Sequence, residues 1–174
     1  MECPACGHEN IPGTDICDGC GVSLTQEDLP APSTDAHHMT DPISVLDPLL
    51  PECLSADDSI EEAISRLREK RVGCVLVTDE EDKLIGVFTE RDLLYRVAGQ
   101  IQDLSGTSVG SVMTSEPTAL RRSTPIAHAL HLMSIHGFRH IPLVNRQGHP
   151  TGLTSFRRVV EFIGANFFST PTAP

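Results

Sequence analysis

"DDSIEEAISRLREKRVGCVLVTDEEDKLIGVFTERDLL", residues 57–94, decides the fold. Ile60, Ala63, Ile64 and Leu67 fall at i, i+3, i+4 and i+7, the stripe of an amphipathic helix, and Asp58 or Ser59 stands where a cap is needed. "GCVLVTD" then reads as a continuous apolar strand, "DEEDK" as a turn and "LIGVF" as a second strand. Thr89 is placed to cap a helix through "ERDLLYRVA", and "ECLS" ahead of the whole stretch reads as a short strand. The order is strand, helix, strand, strand, helix. A unit of about 60 residues is marginal by itself.

The chain carries that unit twice. An offset of 66 pairs Gly86 with Gly152, Pro51 with Pro117, Leu54 with Leu120, Ile60 with Ile126, Ala63 with Ala129 and Leu67 with Met133, without a gap from about residue 45 to residue 98. The second copy reads as "TAL", "PIAHALHLMSIH", "RHIPLVN", "RQGHP", "TGLTS" and "FRRVVEFIG". The expected fold class is α+β: two tandem β-α-β-β-α units packed as a pseudo-two-fold pair and sharing one core, sheet on sheet. The slot ending "GVFTERD" holds Asp92, whereas its echo "GLTSFRR" ends on Arg158.

This order, the ungapped tandem and the G-h-h-[ST]-x-x-D ending resemble a pair of cystathionine-beta-synthase-type (CBS) domains, the Bateman module, over about residues 45–165. The resemblance implies a cleft between the copies for an adenosine ligand such as AMP, ADP, ATP or S-adenosylmethionine. By position it implicates Asp92 for the ribose hydroxyls, Thr89 for phosphate, Val87 for the wall under the base, and Arg139 and His140 of "FRHIP" as cations facing phosphate. It also implies a homodimer. An ionised carboxylate can accept from a cis-diol, and a helix N-terminus attracts anions. Thr89 and Asp92 equally have the spacing of a capping box, which would explain them without a ligand. Arg158 cannot accept from ribose and faces the positive end of a helix, so a pair with Glu161 is favoured over a phosphate contact.

Four cysteines stand at the start, in "CPACGHENIPGTDICDGCG": Cys3, Cys6, Cys17 and Cys20, two C-x-x-C pairs ten residues apart. Each pair offers two thiolates from one tight turn, followed by Gly7 or Gly21, which can take the positive φ such a turn needs. Together they suit a four-thiolate structural zinc with no open position for activating water, and His8 is surplus to it. The segment resembles the short zinc ribbons of many bacterial and archaeal proteins. The expected domains are a zinc ribbon at 1–24, a flexible linker at 25–44 that includes His37 and His38, CBS units at 45–107 and 108–165, and a flexible tail at 166–174.

Charge is uneven along the 174 residues: residues 1–44 hold eight acids and no Lys or Arg, whereas residues 109–174 hold two acids against six bases. Nucleic-acid binding through the ribbon is therefore not expected. There is no basic-then-apolar leader and no apolar run of membrane-spanning length, so a cytoplasmic protein is expected. His128 and His131 fall opposite the apolar stripe and are expected to face solvent. Cys53 and Cys74 are expected to be small buried hydrophobes. Catalytic machinery has no candidate, and the expected function is a regulatory adenosine-ligand sensor whose ribbon contacts an unidentified protein partner. The alternative is a ligand-independent dimerisation scaffold.

Overall fold

The computed structural model describes residues 2–3, 5–22, 24 and 37–167. The chain divides into two units: Leu50–Pro117 with Val144–Gly152, and Met1–Leu49 with Thr118–Leu143 and Leu153–Pro174. We call them the first and second unit after the repeat each contains.

In the first unit, β1 (Cys53–Ser55) runs parallel to β2 (Cys74–Thr78), which is antiparallel to β3 (Leu84–Thr89). β3 in turn pairs antiparallel with β4 (Thr114–Ser115), completing a four-stranded sheet in the order β1-β2-β3-β4. All five residues of β2 are buried, as its unbroken apolar run requires. α1 (Ile60–Lys70) starts where Ser59 accepts from the Glu62 N–H at 3.1 Å, while Asp58 accepts from the Ser55 N–H instead. After Thr89 the chain makes one α-helical turn, α2 (Glu90–Asp92), and then widens into a π-helical stretch at Leu93–Val97. The Ala98 N–H reaches back five residues to the Leu93 carbonyl at 2.8 Å. The wider turn buries Val97 and leaves Leu94 and Tyr95 exposed.

The second repeat follows this plan with α3 (Ile126–His136), β5 (His140–Val144), β6 (Pro150–Ser155) and α4 (Phe156–Phe167), β5 and β6 forming a two-stranded sheet. Its leading "TAL" strand is reduced to a parallel bridge of Leu120 with Leu143.

Each unit is completed by a segment that precedes or follows its repeat, and the two solutions match bond for bond. In the first unit, the Ile60 N–H donates to the Thr107 carbonyl, the Val109 N–H to Asp58 and the Gly110 N–H to Ala56. In the second, 66 residues away, Ile126 donates to Asp41, Ile43 to Thr124 and Ser44 to Arg122. Segment 41–44 thus does for the second repeat what 107–110 does for the first. From His37 onward the expected linker is ordered into 3-10 turns at His37–Met39 and Ile43–Leu46, with Ile43 fully buried. Residues 25–36 lie outside the described residues, as does 168–174 of the expected tail, whose residues 166–167 continue α4.

The buried apolar residues form two clusters, one in each unit. Leu54, Ile60, Ala63, Val75, Val77, Phe88 and Val109 build the first. Ile43, Leu46, Leu120, Ile126, Leu132, Ile141 and Val159 build the second, joined by Cys3, Ala5, Cys17 and Cys20 of the N-terminal segment. Burying a side chain such as Phe88 or Ile126 contributes about 1.5–3 kcal/mol, so segments carrying Val109 or Ile43 and Leu46 enlarge the core that each small repeat can build. Two other expectations are corrected. His128 is buried, because α3 is apolar over a wider arc than its stripe and Leu132 one turn on is buried too; His131 is exposed as expected. Cys53 is exposed, being at the edge of the sheet, while Cys74 in the interior is buried.

Candidate functional site

Val87, Thr89 and Asp92 all lie in the first unit. Val87 sits in β3 between Leu76 of β2 and Thr114 of β4, half-buried. Thr89 ends that strand in extended backbone and caps α2: its hydroxyl accepts from the Asp92 N–H at 3.3 Å, while Asp92 accepts from the Thr89 N–H at 3.0 Å. The capping box read from the spacing is therefore formed.

Asp92 is only 7% exposed, and its carboxylate is fully engaged. Oδ2 accepts from the Thr89 N–H and from the Thr89 hydroxyl at 2.7 Å; Oδ1 accepts from the Thr114 hydroxyl at 3.1 Å and lies 3.5 Å from Arg96 Nη1. A carboxylate offers about four acceptor positions, so a ribose hydroxyl would have to displace Thr114 or Arg96. Arg96 itself donates to the carbonyls of Val112 and Met113 at 2.9 and 2.6 Å, strapping the π-helical stretch to the segment that leads into β4. Neither Arg96 nor Thr114 was singled out from the sequence; both lie outside the repeated motif, and only the fold brings them to it. Beneath the motif, burial, reinforced by the charge of Asp92, pushes the Cys74 thiol up to about 12, the state of an inert thiol rather than a nucleophile.

In the second unit the Ser155 hydroxyl accepts from the Arg158 N–H at 3.4 Å, half of the same cap. Arg158 does not pair with Glu161. Arg157 does, at 2.8 Å and i, i+4, a spacing that aligns two side chains on one helix face. Arg158 turns to the segment before the first repeat, donating to the Leu46 carbonyl at 2.9 Å and lying 3.9 Å from Asp47. Leu46 is the repeat counterpart of Val112, so both units strap that segment with a guanidinium. Arg139 is exposed and His140 half-buried, both in this unit, where the Arg139 carbonyl accepts the Phe156 N–H at the start of α4. His38 forms a 3.2 Å contact with Asp41 and meets Phe162 edge-on, which binds it to the second unit rather than to solvent alone.

The four cysteines of the N-terminal segment converge, with all four sulfurs within 4.8 Å of one another. Cys3 and Cys20 are 3.7 Å apart, as are Cys6 and Cys17. Sulfurs at about 2.3 Å from a tetrahedral zinc would be about 3.8 Å apart, so the cluster has the size of a four-thiolate shell. The two turns are copies of each other: the Cys3 N–H donates to His8 and the Gly7 N–H to Cys3, as the Cys17 N–H donates to Val22 and the Gly21 N–H to Cys17. Gly7 and Gly21 adopt φ of +83° and +70° to close them. Asn10 locks the second turn, donating to Cys17 Sγ at 3.5 Å and accepting from the Asp18 N–H. Burial would raise the Cys17 thiol, but Asn10 and the N–H groups of Cys20 and Gly19 outweigh it and bring it down to about 6. Burial pushes the Cys6 thiol the other way, up to about 11, and raises Cys20 as well, so a metal entering the cluster would have to displace protons from it.

Two tandem copies of one α+β unit, each ending in a helix whose start a hydroxyl caps, define a class of paired folds. The CBS domain model matches it at residues 38–99 and 109–165, and the chain belongs to the CBS-domain family. It is 36% identical over 95 residues to a CBS domain-containing protein of Arabidopsis thaliana and 29% identical over 99 residues to an uncharacterized 17.7 kDa protein of Acidianus ambivalens. Those matches cover 55% and 57% of this chain but only 17% and 58% of the relatives. Among solved structures it is similar to a CBS domain protein from Pyrobaculum aerophilum complexed with AMP, at 29% identity and a TM-score of 0.65, covering 76% of this chain and 99% of that one. No helix among the described residues is long and apolar enough to cross a membrane.

Proposed function

We propose that the chain is a regulatory module that senses an adenosine-type ligand of the AMP, ADP, ATP or S-adenosylmethionine class. The observation that carries this reading is Asp92, a buried carboxylate held at a helix start by Thr89, in a chain whose solved relative is complexed with AMP. Asp92 takes the ribose hydroxyls by exchanging Thr114 or Arg96 for them, Val87 lies under the base, and Thr89, Arg139 and His140 serve the phosphates. Release of Arg96 loosens its hold on the Val112 and Met113 carbonyls, so ligand arrival is felt in the segment feeding β4. Regulation rather than catalysis follows from that coupling, and the module works as a homodimer in the cytoplasm, presenting the change to a protein partner. In the same reading Cys3, Cys6, Cys17 and Cys20 hold one structural zinc, which would supply the fold of a segment too short for a core of its own.

Titration calorimetry with AMP, ADP, ATP and S-adenosylmethionine tests the ligand. Heat of binding at micromolar to millimolar ligand, lost in Asp92→Asn while the fold persists, is expected; no heat with any of the four would refute the sensor. A second reading, a scaffold needing no ligand, is favoured by the saturation of Asp92 by internal partners. It predicts that Asp92→Asn lowers stability but leaves partner and self-association unchanged.

A further inference from the structure

The turns that open the two repeats differ where the fold does not ask for it. "SADD", residues 55–58, becomes "RRST", residues 121–124, so two acids are lost and two bases gained at one place. The backbone work is the same in both: the Ser55 N–H donates to the Asp58 carboxylate at 2.8 Å, and the Arg121 N–H donates to the Thr124 hydroxyl at 3.3 Å. An ionised carboxylate only accepts, whereas a hydroxyl accepts and donates. Thr124, 1% exposed, sends its hydrogen to the Ala5 carbonyl at 2.8 Å, where the Arg121 N–H also donates at 3.2 Å.

Ala5 lies inside the first C-x-x-C turn. The Arg121 guanidinium pairs with Glu2, next to Cys3, and passes so close to Gly7 that an added Cβ there would sit 2.6 Å from Nη2. An N-terminal segment without a single Lys or Arg is thus seated on the turn that has exchanged acids for arginines. Cys3, Ala5, Cys17 and Cys20 share one buried cluster with Leu120, Ile126 and Ala129.

We infer that turn 121–124 is a socket for the cysteine segment, with Thr124 and Arg121 as positioning residues that hold the metal-binding turn and couple metal occupancy to the stability of the second unit. The inference rests on the four-thiolate metal site proposed above. A metal that binds only the folded segment stabilises every contact that needs that segment in place. By linkage, weakening the socket weakens the metal. In the first unit Asp58 has no hydrogen to donate, and that unit's stability is independent of the metal.

The test uses the full chain and zinc alone. Zinc content is measured directly, affinity by competition with a chromophoric chelator, and local stability by amide hydrogen exchange before and after chelation. Thr124→Val is expected to weaken zinc about tenfold, the value of one buried hydrogen bond, and Thr124→Ser to restore it. Chelation of the wild-type chain is expected to lower protection along residues 126–143 while residues 74–78 keep theirs. Zinc bound with unchanged affinity in Thr124→Val, or protection lost only over residues 3–22, overturns the socket and leaves the metal site standing. No bound zinc overturns both. Should Thr124→Val fail to fold, Arg121→Gln and the wild-type exchange data give the same answer.

Discussion

Asp92 and Arg158 stand in the same slot of two repeats and carry opposite charges, yet both brace a helix start against the segment that completes their unit. In the first unit the acid holds Arg96, and Arg96 reaches the Val112 and Met113 carbonyls. In the second, Phe162 occupies the position equivalent to Arg96, and the guanidinium sits in the slot itself, reaching Leu46, the counterpart of Val112. The partner across the gap has swapped as well: Thr114 donates to Asp92, whereas Asp47 offers a carboxylate to Arg158. What the fold conserves between its halves is the strap between guanidinium and carbonyl. The residue in the slot is the variable: a carboxylate in the first unit and a guanidinium in the second.

The sharpest way to break the comparison is to force the second slot to imitate the first. Arg158→Asp removes the strap and sets a carboxylate beside Asp47, which should destabilise the second unit by about 2–3 kcal/mol, the worth of a charged hydrogen bond plus the new repulsion. Urea denaturation followed in the second unit reads this, and no nucleotide affinity should appear there. Asp92→Ala removes the N3 half of the capping box, takes the acceptor from the Thr89 and Thr114 hydroxyls and the counter-charge from Arg96, at about 2 kcal/mol to the first unit; a value as small as that of an exposed pair would show the box to be ornamental.

A difference in pH response should separate the units further. Burial, with the neighbouring charge of His131 behind it, lowers the His128 pKa in the second unit, and its Nε2 has no hydrogen-bond partner among the described residues. The folded state then binds fewer protons than the unfolded one. Stability is complete above the ordinary histidine range and drains away as the pH falls from there to the lower folded value. Thermal melts of His128→Leu should show that acid slope flattened, and the first unit, which contains only His149 among its described residues, should lack it. The smallest effect belongs to Arg157→Ala, whose pair with Glu161 is exposed and worth about 0.3–0.5 kcal/mol.

Much of this was legible in the chain. Ile60, Ala63 and Leu67 announced α1, the offset of 66 announced the tandem, and the spacing of Cys3, Cys6, Cys17 and Cys20 announced a cluster that the fold closes to metal-shell dimensions. What escaped were contacts made by residues outside any motif. Segment 41–44 has no period of its own, so its ladder to Arg122, Thr124 and Ile126 was invisible and it read as linker. Helix spacing points Arg158 toward Glu161, whereas the acceptor it reaches, Leu46, lies 112 residues away in sequence. The apolar stripe of α3 places His128 opposite it, but the helix is buried over a wider arc that takes in His128 and Leu132.

Equilibrium dialysis of labelled AMP against the purified chain tests the central claim most directly, with wild type, Asp92→Asn and Arg158→Ala compared at matched fold. The asymmetry predicts one AMP per chain, lost in Asp92→Asn and changed less than about twofold in Arg158→Ala. Two AMP per chain, or binding that survives Asp92→Asn and fails in Arg158→Ala, would contradict it.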